Sequence, residues 1–548
     1  MKNVLCILAI LAALYVAMLP WRDFWYPDEP DMAEITRQMV LRGDWLELYF
    51  GDRPFPDYPP LYFWFTSSLA RIGGFSETVL RLPTTLSALA LILAAGLWTH
   101  NRLGPRPAFY STLVLGTMVM FIYQSVNMHL DMTFAALIGI SIFLFDIASQ
   151  SPARGRRIAI YAASTLAMGL ASLTKGPAGF ILPLAVLAAH HLIHRRWQVW
   201  RSLLPVAVGA AIVFCTWAFA YAAHSGQSNL LYFIYSQNIQ RFTTTNSHHQ
   251  PWYYYALHIW PNLLPWSPLL PAGIASAVLR KESGRKAAQP LSLALVWLIV
   301  MFLFFSTAQS KRVVYLLPTY PAAAILIGFF INRALNADRP WMLIWLRAGL
   351  WLPLLVLAAI GAAVPPAYFW IVARHDSPFK DLWPPLVCLS VVMLAGAIIA
   401  ALSLRNGRRV AAIIALAGTT AATALLSNTW LAALVDDPLS AKTDALWLAS
   451  QLGDARTLGF IHETTVIPNE ASALCFYGQL SLRLLETEDD MHSYLRDEPS
   501  GLAVVLERDL DDLIRENPSW RVDEERRLLI GDDTLVAVRI QPRPGADE

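Results

Sequence analysis

Apolar residues run along this chain in blocks too long for a soluble core, and polar residues fill the short gaps between them. The blocks are 84–99, 107–122, 132–148, 158–173, 178–193, 202–223, 291–307, 313–333, 344–370, 384–404 and 409–435. A helix of ~20 apolar residues spans the ~30 Å hydrocarbon layer of a bilayer, so each block predicts a membrane-spanning helix. A first segment over 4–20 and another after Asn262 bring the expected total to about thirteen. Beyond residue 435 the pattern changes. Residues 440–452 have helical spacing, while 457–461, 501–506 and 534–540 read as short strands. The expected fold is a polytopic α-helical membrane domain over 1–435, with long loops at 21–78 and 223–262, followed by a soluble α/β domain over 436–548.

Composition agrees with that division. The chain is 56% hydrophobic and only 15% charged, with a mean hydropathy of +0.43, which excludes an ordinary soluble protein. Residues 436–548 carry 11 basic and 24 acidic side chains, whereas the first 435 carry 31 and 16. The four cysteines, Cys6, Cys215, Cys388 and Cys475, form no disulfide framework or zinc knuckle. Lys2 precedes the first apolar segment and no small-residue cleavage site follows it, so a retained first helix is expected rather than a signal peptide.

Charge also predicts orientation. The connections 100–106, 154–157, 195–201, 280–286, 332–339 and 405–409 are basic, and cytoplasmic loops are enriched in Lys and Arg. Counting spans puts all six on the side of the N-terminus, which is then cytoplasmic. The other face receives 21–78, 124–130, 174–177, 223–262, 308–312, 371–383 and the acidic tail. This needs an odd number of spans, in keeping with thirteen.

The chemistry-bearing residues gather on that outer face. Asp28 and Glu29 follow the first segment within ten residues, and carboxylates so near hydrocarbon are costly without a task. Further clusters are 53–64, with Arg53, Asp57 and Tyr58; 127–131, with Asp131; the tight 174–177 hairpin, with Lys175; 238–255, with Arg241 and His248; and 310–315, with Lys311, Arg312 and Tyr315. Each has a bland alternative. Lys175 can cap a hairpin or snorkel to the interface, Asp131 can cap a helix, Lys311 and Arg312 can anchor a helix end, His248 can be a solvated loop residue, and the 252–255 aromatics can form an interfacial belt. Their convergence on one face favours a common site. Cations offset charge on a leaving phosphate and a carboxylate can deprotonate an acceptor hydroxyl, so the set points to a lipid-phosphate donor at an outward-facing membrane site.

In this order the motifs resemble those of GT-C glycosyltransferases of the ArnT and protein O-mannosyltransferase type. They are Asp28-Glu29, Ala33-Glu34-Ile35, Gly43-Asp44-Trp45, Pro59 through Trp64, Arg81, Asp131, Thr174-Lys175-Gly176, Asn238 through Phe242, Leu264-Pro265-Trp266, and Lys311 with Tyr315 through Pro318. The resemblance implies a bacterial inner-membrane enzyme with its C-terminal domain in the periplasm. It would move a sugar from a polyprenyl phosphate such as undecaprenyl phosphate to a lipid A-like lipid, a glycan or a protein. It also implies Asp28, Glu29 and Asp131 as catalytic carboxylates. Arg53, Tyr58, Arg81, Lys175, Arg241, Lys311, Arg312 and Tyr315 would be substrate- or phosphate-binding residues. Asp57 and His248, at a family Glu and a family His, form a candidate divalent-metal pair; no other cofactor is implied. No feature points to nucleic acid, and a monomer is expected.

Two departures stand out. Where the family carries Arg and Tyr this chain has Asp31 and Met32, and where the family has Glu-Lys-Pro it has Asp57-Tyr58-Pro59. Either Arg53, Lys311 and Arg312 substitute for the missing cations, or the substrates differ. A transporter would place ionisable residues near the midplane and show inverted repeats, neither of which is found. A lipid-linked glycan ligase or polymerase is a closer alternative.

Overall fold

The computed structural model describes residues 1–51, 53–244, 248–336, 339–372, 380–453, 456–461, 470–485, 487–498, 501–516, 520–530 and 533–542. These form two compact units. The first holds Met1–Pro20, Pro56–Tyr62 and Arg81–Leu431; the second holds Trp21–Phe55, Phe63–Leu80 and Ala432–Glu548.

Among the described residues nine helices are long and apolar enough to cross a membrane: Glu77–Leu103, Leu130–Ser149, Arg154–Lys175, Trp197–Ser225, Ala288–Thr307, Val313–Asn336, Pro340–Trp370, Trp383–Arg405 and Arg409–Asp436. Three shorter apolar helices, Lys2–Ala17, Ala178–Ile193 and Ser267–Val278, and one broken pair account for the other expected blocks. The broken pair is the difference from expectation. The block 107–122 reads as one helix, but Pro105–Gly116 and Val119–Val126 meet at 63°. The backbone groups freed at the bend are satisfied elsewhere, as an apolar environment requires. Tyr15 donates its hydroxyl to the Gly116 carbonyl at 2.8 Å, and the Val119 N–H donates to the Leu264 carbonyl at 2.8 Å. The Trp266 indole donates to the Thr117 hydroxyl at 2.9 Å.

The Val313–Asn336 segment is the most enclosed span. It packs on Pro105–Gly116, and Gly328 makes that approach possible: a Cβ there would lie 2.5 Å from the Ser111 backbone nitrogen. Lipid supplies no hydrophobic drive between helices, so such close backbone packing is what holds them. By contrast Leu204, Ile212, Phe219, Leu355 and Val391 are exposed, as lipid-facing side chains are.

The second unit contains a five-stranded sheet and a two-stranded ribbon. Strands β1 (Tyr49–Phe50) and β2 (Arg53–Pro54) make the ribbon. The sheet is built from β3 (Thr457–Ile461), β4 (Ser481–Leu485), β5 (Leu502–Leu506), β6 (Trp520–Ile530) and β7 (Asp533–Pro542), in the order β4-β3-β5-β7-β6. The β3 pairings are parallel, with Phe460 opposite Leu484 and Val504. The β5–β7 and β7–β6 pairings are antiparallel. Every residue of β5 is buried, which explains its unbroken apolar run. β4 and β6 are edge strands absent from the expectation. In β6 the charges of 523–527 hide the alternation that Trp520, Leu528 and Ile530 carry as buried residues, and charged edges are how sheets avoid further pairing.

Helix Asp28–Arg42 packs within this unit through polar contacts. Glu34, fully buried, accepts from Arg37 Nε and Nη2 at 2.7 and 2.8 Å and from Gln38 Nε2 at 2.8 Å. Arg37 Nη2 also reaches the Leu480 carbonyl beside β4 at 2.7 Å. Asp31 accepts from the Ser472 hydroxyl. Asp23 pairs with Lys442 at 2.8 Å, and Asp436 accepts from the Asp23 N–H and the Trp25 indole at 2.9 and 2.8 Å. The stretch after the first helix is thus bonded to the C-terminal region. Removing one member of a buried ion pair leaves an uncompensated charge, at a cost of about 3–5 kcal/mol. Glu34→Ala is therefore expected to lower the thermal midpoint of the purified protein by several degrees. Glu34→Leu combined with Arg37→Met should recover most of the loss; no recovery would assign the effect to packing.

Candidate active site

Two helix ends in the first unit build the centre of the site. Arg154–Lys175 stops at Lys175 because Gly176 turns left-handed, with φ +86°, before Pro177. A side chain at 176 would also strike Asn238 Oδ1, 2.6 Å from the Cβ position. A cation in the last turn of one helix and an anion in the first turn of the next each complement a helix dipole. Here Lys175 reaches Asp131 at the start of Leu130–Ser149, and Nζ and Oδ1 form an ion pair. Asp131 is buried. His129 Nδ1 lies 2.8 Å from its other oxygen, Oδ2. The Lys175 ammonium also stands 4.5 Å above the Tyr315 ring, within cation–π range.

Asp131, Lys175 and Tyr315 line a cavity of about 140 Å³. Its polar lining includes Asp57, Tyr58, Gln237 and Asn238. The rest is largely phenylalanine: Phe134, Phe233, Phe242, Phe304 and Phe305. A wide π-helical stretch, Phe233–Gln240, carries Gln237, whose amide donates to Asp57 Oδ1 at 2.7 Å. The volume falls below the ~300–1,000 Å³ that houses a whole drug-sized ligand, so it suits an anionic head group with a short apolar stretch behind it. Lys175 is the one cationic side chain among the described residues lining it.

The cavity therefore gathers Asp131, Lys175, Tyr315, Asp57 and Tyr58 out of the expected residues. Several others have separate described contacts. Lys311 is buried, and its ammonium donates to the carbonyls of Gln250, at 2.8 Å, and Ala308; burial lowers its pKa from the ordinary lysine value. It latches the 308–312 loop to the 248–250 stretch, where its backbone N–H also bonds the His248 carbonyl at 3.0 Å. Arg81 is buried and donates to the Leu19 carbonyl at 2.9 Å, closing the end of the first helix. The Arg312 carbonyl accepts from the Tyr255 hydroxyl at 3.1 Å. The side chain of Arg241 lies outside the described residues. Asp28, Glu29 and Arg53 belong to the second unit. There Asp28 is half-buried in a first helical turn, while Glu29 is buried and ion-paired with Arg22. Asp57 and His248 join no group of three His, Cys, Asp or Glu ligand atoms within 4.8 Å of one another among the described residues.

Sequence reading missed Gln237 and the Phe304–Phe305 wall. Those phenylalanines sit in a block that reads as plain membrane helix, and no local signal separates a lipid-facing from a cavity-facing ring.

Comparison with known proteins fits this geometry. Residues 57–220 match the model of the dolichyl-phosphate-mannose-protein mannosyltransferase family. A Pseudomonas fluorescens (strain Pf0-1) undecaprenyl phosphate-alpha-4-amino-4-deoxy-L-arabinose arabinosyl transferase is 28% identical over 341 residues, 61% of this chain and 60% of that one. The Edwardsiella ictaluri (strain 93-146) arabinosyl transferase of the same name is 30% identical over 337 residues, 60% and 59% of the two chains. These matches span about 60% of the curated relatives' length. The structure of ArnT from Cupriavidus metallidurans bound to undecaprenyl phosphate superposes on 98% of both chains, with a TM-score of 0.77 at 23% identity. The chain has the ArnT-like GT-C fold. The same ArnT in its apo state aligns with a TM-score of 0.74 at 22% identity. The mannosyltransferase match contains Asp57, Tyr58, Asp131 and Lys175, so much of the polar lining of the cavity lies in the family-matched stretch.

Proposed function

We propose that this multi-span membrane protein is a glycosyltransferase that moves a sugar from undecaprenyl phosphate, or a similar polyprenyl phosphate, to a lipid A-like acceptor at the outer face of the bacterial inner membrane. The observation that carries the reading is Lys175, the one ammonium among the described residues of a cavity lined by a polar set, Asp57, Tyr58, Asp131, Gln237 and Asn238, and by five phenylalanines. That combination fits a phosphate monoanion or diester joined to an isoprenoid, and the named substrate of the arabinosyl transferases it resembles is of this class. Lys175 holds the donor phosphate and stabilises it as it leaves, while the phenylalanines take the first isoprene units. The anomeric C–O bond to phosphate breaks with its electron pair leaving on the phosphate, and a bond to an acceptor oxygen forms. An acceptor phosphate arrives already ionised, so no strong base is needed. Asp28, placed by resemblance, orients the acceptor or stabilises positive charge at the anomeric carbon. The N-terminus is cytoplasmic and the C-terminal region periplasmic in this reading, which the six basic connections support.

The test is transfer from a panel of purified polyprenyl-phosphate sugars, with envelope lipid extract as acceptor. Label is expected to move to a lipid with the wild-type protein and not with Asp28→Asn. Transfer only to protein would shift the acceptor class to that of the mannosyltransferases. No transfer from any donor by folded protein would reject the reading.

A further inference from the structure

His129 is not part of the cavity lining, yet its geometry gives it a defined task. Its backbone is fixed: the His129 N–H and carbonyl both lie 3.3 Å from the Thr84 hydroxyl, which is itself 2.9 Å from the Tyr62 hydroxyl. Its ring nitrogen Nδ1 has two neighbours, the Asp131 N–H at 3.2 Å and Asp131 Oδ2 at 2.8 Å. A helix cap would need Nδ1 to accept from the N–H. A bare Nδ1 would then face a carboxylate oxygen at 2.8 Å lone pair to lone pair. Oδ2 is also fully buried and has no other hydrogen-bond donor among the described residues, a costly state for a charged group. Both problems vanish when the proton sits on Nδ1 and is donated to Oδ2.

We infer that His129 is a positioning residue whose Nδ1–H occupies Asp131 Oδ2, so that Lys175 engages Oδ1 alone and its ammonium stays over Tyr315 at the cavity. The donor chemistry rests on the reading proposed above; the positioning itself does not. Without the His129 proton, the ammonium is the donor at hand for both oxygens of Asp131. It then collapses onto the carboxylate and withdraws from the phosphate position.

Competitive acetylation of the purified full-length protein, read by mass spectrometry at Lys175 with and without undecaprenyl phosphate, tests this. In His129→Phe, Lys175 is expected to label several-fold more slowly than in wild type. The undecaprenyl phosphate needed for half-protection should rise by about tenfold, the scale seen when an outer partner of a ligating side chain is removed. His129→Asn places an N–H near Nδ1 and should restore both. His129→Asp can cap the helix but cannot donate, and should behave as His129→Phe. Equal labelling of Lys175 in wild type and His129→Phe would overturn the inference, as would restoration by His129→Asp. Failure of undecaprenyl phosphate to protect wild-type Lys175 rejects the donor reading instead, while the probe-free labelling rates still decide the role of His129.

Discussion

Lys175→Ala is expected to raise the donor concentration for half-maximal transfer by on the order of 100-fold, equivalent to about 2–3 kcal/mol. Two losses combine in that figure. The donor phosphate loses a charge-assisted contact in a partly enclosed cavity, and Asp131 is left buried without its cation. The second loss acts on stability as well as binding, so the single variant is ambiguous alone. Lys175→Gln with Asp131→Asn removes both charges and keeps a hydrogen-bonding pair, and replacing both partners of a buried pair is far milder than removing one. The double variant should melt near the wild-type temperature and still bind undecaprenyl phosphate poorly in an equilibrium assay. Wild-type affinity in that folded double variant would remove Lys175 from the phosphate site. Turnover at saturating donor should fall less than affinity, because the contact is already made in the bound ground state.

The reason Lys175 was legible in sequence, and Lys311 less so, is physical. Lys175 ends a helix before Gly176 and Pro177, so the chain must turn there and the side chain must lie at a span end. Lys311 occupies an equally plausible place, but whether a loop lysine faces a cavity or folds back on carbonyls depends on the 248–250 stretch, more than sixty residues away. Arg81 is the same case, bonded to Leu19. The span pattern was legible because hydrocarbon imposes it block by block; the bend at 117–118 was not, since it is set by Leu264, Trp266 and Tyr15 from other segments. Likewise the acids of 23–34 stand out as costly, but part of their work is bonding within the second unit: Asp23 to Lys442, Asp31 to Ser472, Glu34 to Arg37. Sequence spacing exposes the presence of such charges and not their partners.

That bonding sharpens the expectation for the Asp28–Glu29 pair. Glu29 is buried against Arg22, whose guanidinium also stacks 4.6 Å from the Trp25 ring. Its loss should behave as the loss of a buried ion pair, reducing the amount of folded protein. Asp28 is half-buried at the first turn of Asp28–Arg42, where the helix dipole favours the ionised carboxylate. Asp28→Asn keeps shape and hydrogen-bonding capacity but deletes the charge. Folding and membrane insertion should be unchanged, whereas turnover should fall by about 10³, within the ~10²–10⁴ that a positioned acid–base or charge-stabilising group contributes. Undecaprenyl phosphate affinity should stay within about threefold of wild type, since a charge acting on the anomeric carbon is felt chiefly in the transition state. Single-turnover transfer with pre-bound donor separates the two. A slow chemical step at normal donor affinity supports the catalytic assignment. Near-normal turnover in Asp28→Asn would refute it, and equal losses of affinity and turnover efficiency would make Asp28 a binding group instead.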